Sequence, residues 1–284
     1  MKIRFIRFAI RLTLGISLIF IINACSSDFS IQSVSNFKAI DFSSIKSPNT
    51  LVIFDVDETL IQPVDTYLIN EHKAEGINFR EKMVADHPGV KDWDKILSII
   101  LEEAKRPLIE PDIVSEIKKL QERNVLVIAC TGMNTGKAAL YERLEIWRYD
   151  HLKSLGFEGS FTSKDFTLQG FKSQPVFYKG VLSADLEEKG PVIGAFLDKI
   201  SFKPEKIVMI DDDGAYIRSV KEECFKRGIN FEGYLYQGAK EKKWDEDLIK
   251  FQLQHLLTHY HWLSDDVAKQ LMQEAPKSES RIAG

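Results

Sequence analysis

Apolar residues along the chain fall into a few short unbroken runs separated by longer amphipathic stretches. Leu51-Val52-Ile53-Phe54, Val125-Leu126-Val127-Ile128-Ala129-Cys130 and Ile207-Val208-Met209-Ile210 are too short for buried helices and rich in β-branched residues. They predict strands covered on both faces. Phe231 to Tyr236 adds a final strand. Between them the spacing predicts helices. Pro111-Asp112 opens one that runs to about Glu122, with Pro in the first turn and acids at its positive end. Lys137 to Leu155 carries Leu140, Leu144, Trp147 and Leu152 as an apolar face, and Asp185 to Ile200 carries Val192, Ile193, Phe196 and Leu197. A further helix runs to Arg227, and Trp244 to Trp262 forms an amphipathic C-terminal one. Residues 157–182 are aromatic-rich, with a short strand or hairpin expected around Pro175 to Leu182. Strands alternating with helices predict an α/β fold, a doubly wound (Rossmann-like) parallel sheet.

The two ends read differently. Lys2, Arg4, Arg7 and Arg11 precede an apolar run from Leu12 to Ile22, shorter than the roughly 20 residues a spanning helix needs, which suits the apolar part of a signal peptide. The run closes on Ile22-Asn23-Ala24-Cys25-Ser26, which resembles a bacterial lipobox. That resemblance implies a signal peptide over 1–24, lipidation of Cys25, export, and anchoring in a lipid membrane, with Ser26 favouring the outer membrane. Residues 25–49, rich in Ser, are expected to form a tether whose later part packs on the sheet, and 263–284 a C-terminal tail.

Composition changes this picture little: 44% hydrophobic and 28% charged residues are ordinary for a globular chain. The net charge of -4 falls to -8 once the four basic residues of the leader are removed, and that balance argues against nucleic acid as a partner. Cys130 and Cys224 are too few to suggest a disulfide framework. His255 and His259 have i, i+4 spacing, but with no H-E-x-x-H pattern they read as a structural or solvent-facing pair.

The candidate chemistry lies at the strand ends. The first run ends in Asp55-Val56-Asp57-Glu58-Thr59, the second in Thr131-Gly132, and the third in Asp211-Asp212-Asp213. Carboxylates at the end of a buried strand are costly unless a cation or hydrogen bonds receive them. In a doubly wound sheet such ends meet in one crevice. Acidic groups converging there call for a divalent cation, and hard oxygen ligands select Mg²⁺.

Asp-x-Asp-x-Thr after a strand, then a strand ending in Thr, then Lys-Gly at a helix start, then an acidic group after a strand, resemble motifs I to IV of the haloacid dehalogenase-like phosphotransferase superfamily. The resemblance covers roughly residues 50–240. It implies a domain over 50–262 with a small helical cap at about 61–108, inserted between the first two motifs. One helical stretch of the cap would carry Tyr67, Leu68, Ile69, Phe79 and Val84, the other Val90 to Leu101. The resemblance further implies a Mg²⁺-dependent phosphomonoesterase acting on a small phosphorylated substrate. Asp55 would be the nucleophile and Asp57 the acid and base, with Thr131 and Lys189 holding the phosphoryl oxygens. Asp55, the Asp57 carbonyl and Asp212, with Asp211 in support, would hold the metal; the choice among Asp211, Asp212 and Asp213 stays open. Asp57 favours phosphate chemistry over carbon–halogen cleavage, which needs no leaving-group acid. Two lysines compete for the third motif, since Lys179 and Lys189 both precede Gly. Lys189 is favoured because the helix after it leads directly into the Lys206 to Ile210 strand. Secreted haloacid dehalogenase-like proteins of intracellular bacteria look closest in type. The rival expectation is a surface lipoprotein that keeps the fold as a catalytically silent binding module.

Overall fold

The computed structural model describes residues 29–45, 49–138 and 140–274; the leader and Cys25 lie outside the described residues. Among those residues the chain forms β1 (Phe29–Val34), β2 (Thr50–Phe54), α1 (Thr66–Asn70), α2 (Ala74–Asp86), α3 (Trp93–Glu103), α4 (Ile113–Glu122) and β3 (Leu126–Thr131). There follow α5 (Leu144–Ser154), β4 (Asp165–Thr167), β5 (Val176–Tyr178), β6 (Val181–Ser183), α6 (Lys189–Lys199), β7 (Lys206–Asp211), α7 (Gly214–Arg227), β8 (Asn230–Tyr236), α8 (Glu246–His259) and α9 (Asp265–Glu274). The strands make one sheet in the order β1-β8-β7-β2-β3-β6-β5-β4. β1 through β6 in that row are parallel, and β5 and β4 turn back antiparallel at one edge. The α/β, doubly wound class is as the sequence predicts.

The central strands are buried on both faces, which is why their sequences are unbroken apolar runs. Val52 and Phe54 of β2 join the core beneath α4 and the N-terminal segment, while Leu51 and Ile53 join the core beneath α6 and α7. The chain leaves β2 first to β3 on one side and later comes back to β7 on the other. β2 is therefore where the winding reverses, and a crevice opens at its C-terminal end.

The insertion after β2 is a small helical layer, as expected, pinched at its base by an antiparallel bridge between Ile61 and Leu108. Its first helical stretch is two helices, not one, because the chain turns at residues 71–73 before α2 begins. Its core is shared: Tyr67, Leu68, Phe79, Ile96 and Ile100 pack with Ile249, Leu253 and Leu256 of α8 and with Trp262.

The later part of the tether packs on the sheet, and the C-terminal segment departs from the tail expected of it. The described part of the tether is β1 followed by two short 3-10 turns, whose Phe37, Ile40, Phe42 and Ile45 are buried. Phe37 stacks on Tyr236 at 4.6 Å between ring centres and meets Phe54 edge-on at 6.0 Å. Glu110 accepts from both the Phe37 N–H and the Tyr236 hydroxyl at 2.8 Å. Residues 263–274, read as part of a tail, are also structured. The buried Asp265 carboxylate accepts from the Thr66 N–H and hydroxyl at the start of α1, while Asp65 accepts from the Asp265 N–H. Lys242 lies 2.9 Å from Asp265 and holds the pair's charge. Two helix starts thus cap one another across about 200 positions of the chain.

Two boundaries move for local reasons. α5 begins at Leu144 instead of Lys137, and Leu140 is 65% exposed, because the preceding loop is pinned by Glu145, which accepts from the Gly136 N–H at 2.9 Å. α6 begins at Lys189 instead of Asp185, because Asp185 and Leu186 both have left-handed backbone, with φ of 52° and 64°.

If residues 29–45 are part of the core, Phe37→Ala should destabilise the protein by about 3 to 5 kcal/mol in urea unfolding, the usual loss for a buried Phe. A change within about 0.5 kcal/mol, as for an exposed residue, would count against the segment's place in the core.

Candidate active site at the switch point

β2, β3 and β7 deliver Asp55, Thr131 and Asp211 to the crevice at their C-terminal ends. Asp55 follows β2 directly, and its N–H donates to the Ile210 carbonyl at 2.8 Å, so its position is set by the ladder with β7. Lys189 enters from the first turn of α6 and is 1% exposed. Its ammonium lies 2.5 Å from Asp55 Oδ1 and 2.7 Å from Asp211 Oδ2, bridging the two strand ends. The residue after it is glycine for a steric reason. A Cβ on Gly190 would stand 2.2 Å from the Ser219 carbonyl oxygen of α7. Only glycine lets α6 press this close and carry Lys189 inward. The Tyr216 ring covers the ammonium at 4.4 Å.

Lys179 is not in the site. It occupies the two-residue turn between β5 and β6 with Gly180, at φ of 47° and 96°, the hairpin geometry that requires left-handed backbone at both positions. Its ammonium lies over the rings of Tyr178 and Tyr149, at 5.1 and 5.5 Å.

The remaining groups of the first motif make separate connections. Thr59 donates to the Asp212 carboxylate at 3.3 Å and accepts the Asp212 N–H at 3.1 Å, joining the turn after β2 to the turn after β7. Thr131 donates to Asp57 at 3.2 Å and accepts the Met133 N–H. Asp213 is exposed and caps α7 through the Ala215 N–H at 2.6 Å, a structural use for the third aspartate of the run.

Asp55, Asp211 and Asp212 can each place one oxygen within 4.8 Å of the others. Asp55 Oδ2 is buried and has no hydrogen-bond partner among the described residues. Three carboxylates face one ammonium, and the imbalance shows in their protonation. Burial pushes the Asp211 carboxyl up to about 7 and that of Asp212 up to about 8, and the Asp55 charge pushes both further in that direction. Burial likewise raises Asp55, against the pull of Lys189. An all-oxygen, triply acidic donor set with an orphaned carboxylate oxygen fits a hard divalent cation such as Mg²⁺. The Asp57 carboxylate is outside this cluster; the expectation for Asp57 concerns its backbone carbonyl.

The profile of the family described as "Protein of unknown function (DUF2608)" matches residues 33–269. The chain belongs to this family. The DUF2608 boundaries take in the turns after β1 that pack under the sheet and the first half of α9, in keeping with both being part of the fold. An uncharacterized protein of Rickettsia bellii is 22% identical over 68% of this chain and 70% of its own length. One from Rickettsia typhi is 30% identical, over 46% of this chain and 48% of its own length, so the match spans about half of that relative. A Chlamydia trachomatis protein named "Putative outer membrane protein" is 27% identical over 68% of this chain and 70% of its own length. Among the described residues of this DUF2608 chain, no helix is long and apolar enough to cross a membrane.

One site residue lies outside the sequence expectations. Arg148 of α5 is buried, and its Nη2 donates to both Asp57 oxygens, at 2.8 and 3.0 Å. The signal was present: Leu144, Arg148 and Leu152 share one helix face at i, i+4 and i+8, and a charge inside an apolar stripe needs a partner.

The raised carboxyls give a pH prediction. A group whose pKa is higher folded than unfolded binds extra protons in the native state, so stability falls as pH rises through the window between the two values. For Asp211 and Asp212 that window runs from the ordinary carboxyl value of 3.8 up to about 7 and about 8. In a chelator, the melting temperature should fall between about pH 5 and about pH 8, and Mg²⁺ should restore it most at the upper end. An equal Mg²⁺ effect at both ends would count against ion binding at these carboxylates.

Proposed function

We propose that this protein is a divalent-cation-dependent phosphomonoester hydrolase that works through an aspartyl-phosphate on Asp55. One observation carries the proposal: the Lys189 ammonium is held between Asp55 and Asp211, while the second Asp55 oxygen has no partner among the described residues. A buried carboxylate with one oxygen neutralised and the other uncommitted is suited to attack an anionic phosphorus centre.

Asp55 Oδ2 would form the bond to phosphorus as the bond from phosphorus to the ester oxygen breaks. Asp57, in its protonated form, would give its proton to the departing oxygen. It would then take a proton from water as the water oxygen bonds to phosphorus and the bond to Asp55 breaks. Thr131, which donates to Asp57 in the structure, would turn its hydroxyl to a phosphoryl oxygen. Lys189 would offset the charge of the phosphoryl group without moving, because its two aspartates and Tyr216 hold it. Asp55, Asp212 and the Asp57 carbonyl, with Asp211 behind them, are the groups that would hold Mg²⁺. When bound, the ion supplies a positive charge that lets an anionic nucleophile approach an anionic substrate.

The leader and Cys25 support an exported protein anchored by lipid to a bacterial membrane. The name of the Chlamydia trachomatis relative favours the outer membrane.

Asp55→Asn should abolish Mg²⁺-dependent phosphate release with the circular dichroism spectrum unchanged. Lys189→Ala should lower turnover at least about a hundredfold, about 2.7 kcal/mol, whereas Lys179→Ala should lower it by less than about tenfold. Equal losses at the two lysines would remove Lys189 from the mechanism. No turnover across a broad panel of phosphomonoesters would instead support the silent binding module.

A further inference from the structure

Between the cap and the sheet, above the aspartates, lies a cleft of about 530 Å³ that opens to solvent. Arg106, at the return from α3, and Arg148, on α5, both line it. Their guanidinium carbons lie 5.8 Å and 5.0 Å from the centre of the Trp147 ring, so two like charges share one aromatic support. Arg106 is anchored through Nη1 alone, to the carbonyls of Ala104, Leu101 and Ile100 at 3.0 to 3.4 Å. Arg148 has Asp57 on Nη2, but its Nε and Nη1 are buried with no acceptor among the described residues.

The Arg148 charge acts on Arg106, so the two guanidinium groups repel one another, and a buried guanidinium nitrogen without an acceptor is costly. The surroundings register the positive field. Burial and then the Arg148 charge push Arg106 below its usual value, and the same two causes push the adjoining His151 down to about 4. Glu71, whose charge pulls Arg106 the other way, makes no ion pair with either arginine among the described residues. In the proposed mechanism Asp57 must turn to the ester oxygen, which takes from Arg148 the one acceptor it has.

We propose that Arg106 and Arg148, supported by Trp147, form a second oxyanion subsite, so that the substrates are small phosphomonoesters carrying a carboxylate or second phosphate on the leaving group. An oxyanion there supplies acceptors to the unpaired nitrogens of Arg148 and lies between the two charges, removing their repulsion. Planar guanidinium groups bind carboxylate and phosphate alike. The subsite rests on the phosphatase reading for its place on the leaving-group side, but not for its ability to bind an anion.

The test uses matched pairs. With the Mg²⁺-loaded protein, kcat/KM for 3-phosphoglycerate should exceed that for glycerol 3-phosphate by about tenfold or more. Fructose 1,6-bisphosphate against fructose 6-phosphate separates a phosphate preference from a carboxylate preference. Arg106→Gln should bring these ratios close to one, and Arg106→Lys, which keeps the charge, should retain part of them. Ratios near one in the wild type, or ratios above one that Arg106→Gln leaves in place, overturn the subsite while leaving the hydrolase standing. Should no ester turn over, the hydrolase fails and calorimetry decides the subsite. Tighter binding of 3-phosphoglycerate than of glycerol 3-phosphate, lost in Arg106→Gln, upholds it; equal or absent binding of both overturns it.

Discussion

The ammonium of Lys189 is the charge around which the crevice is assembled. With no exposure to speak of, it would be strongly disfavoured alone, and so would the Asp55 and Asp211 carboxylates on either side of it. Together they are tolerable: two short ion pairs, with Tyr216 over the cation, replace the water that all three groups lose. Such a cluster is weak evidence for stability, since an apolar trio of equal volume would serve the core as well. Its value lies in position. It fixes the ends of β2 and β7 to the first turn of α6, and it leaves one Asp55 oxygen and the Asp212 carboxylate facing the cleft with negative charge in excess.

The rest of the molecule follows from keeping that group dry on one side and reachable on the other. The sheet supplies the dry side, with apolar cores above and below β2. The cap supplies walls of the cleft, and it is braced by the C-terminal helices. α8 shares the cap's core, and Asp265 and Asp65 cap one another's helices. Such a brace makes the cap a layer packed on the C-terminal helices as well as an insertion in the sheet domain. The bridge between Ile61 and Leu108 leaves it a narrow base.

How much of this the sequence disclosed depended on whether a local pattern carried the information. The central strands were legible because burial on both faces writes itself as an unbroken apolar run, and the aspartates and Thr131 were legible because they end those runs. Lys189 was separable from Lys179 by its place before a helix, although the reason for its neighbouring glycine, the close approach of α7, is visible only in three dimensions. The segment around Phe37 and Phe42 gave no period, since its aromatic residues enter the core one at a time from irregular turns. Asp265 looked like a tail residue, because its partners, Thr66 and Asp65, lie about 200 positions away. Arg148 could have been found, as a charge at the centre of the stripe from Leu144 to Leu152, but its partner Asp57 could not.

The central claim is that Asp55 accepts a phosphoryl group beside a divalent cation and under the charge of Lys189. The most direct measurement is a crystal structure of the protein grown with Mg²⁺ and beryllium fluoride, which mimics an aspartyl-phosphate. The account predicts trifluoroberyllate bonded to Asp55 Oδ2, with Lys189 and Thr131 on its fluorines and Mg²⁺ between Asp55 and Asp212. Well-ordered crystals at saturating fluoride and Mg²⁺ that show Asp55 unmodified, or the adduct on another residue, would contradict it.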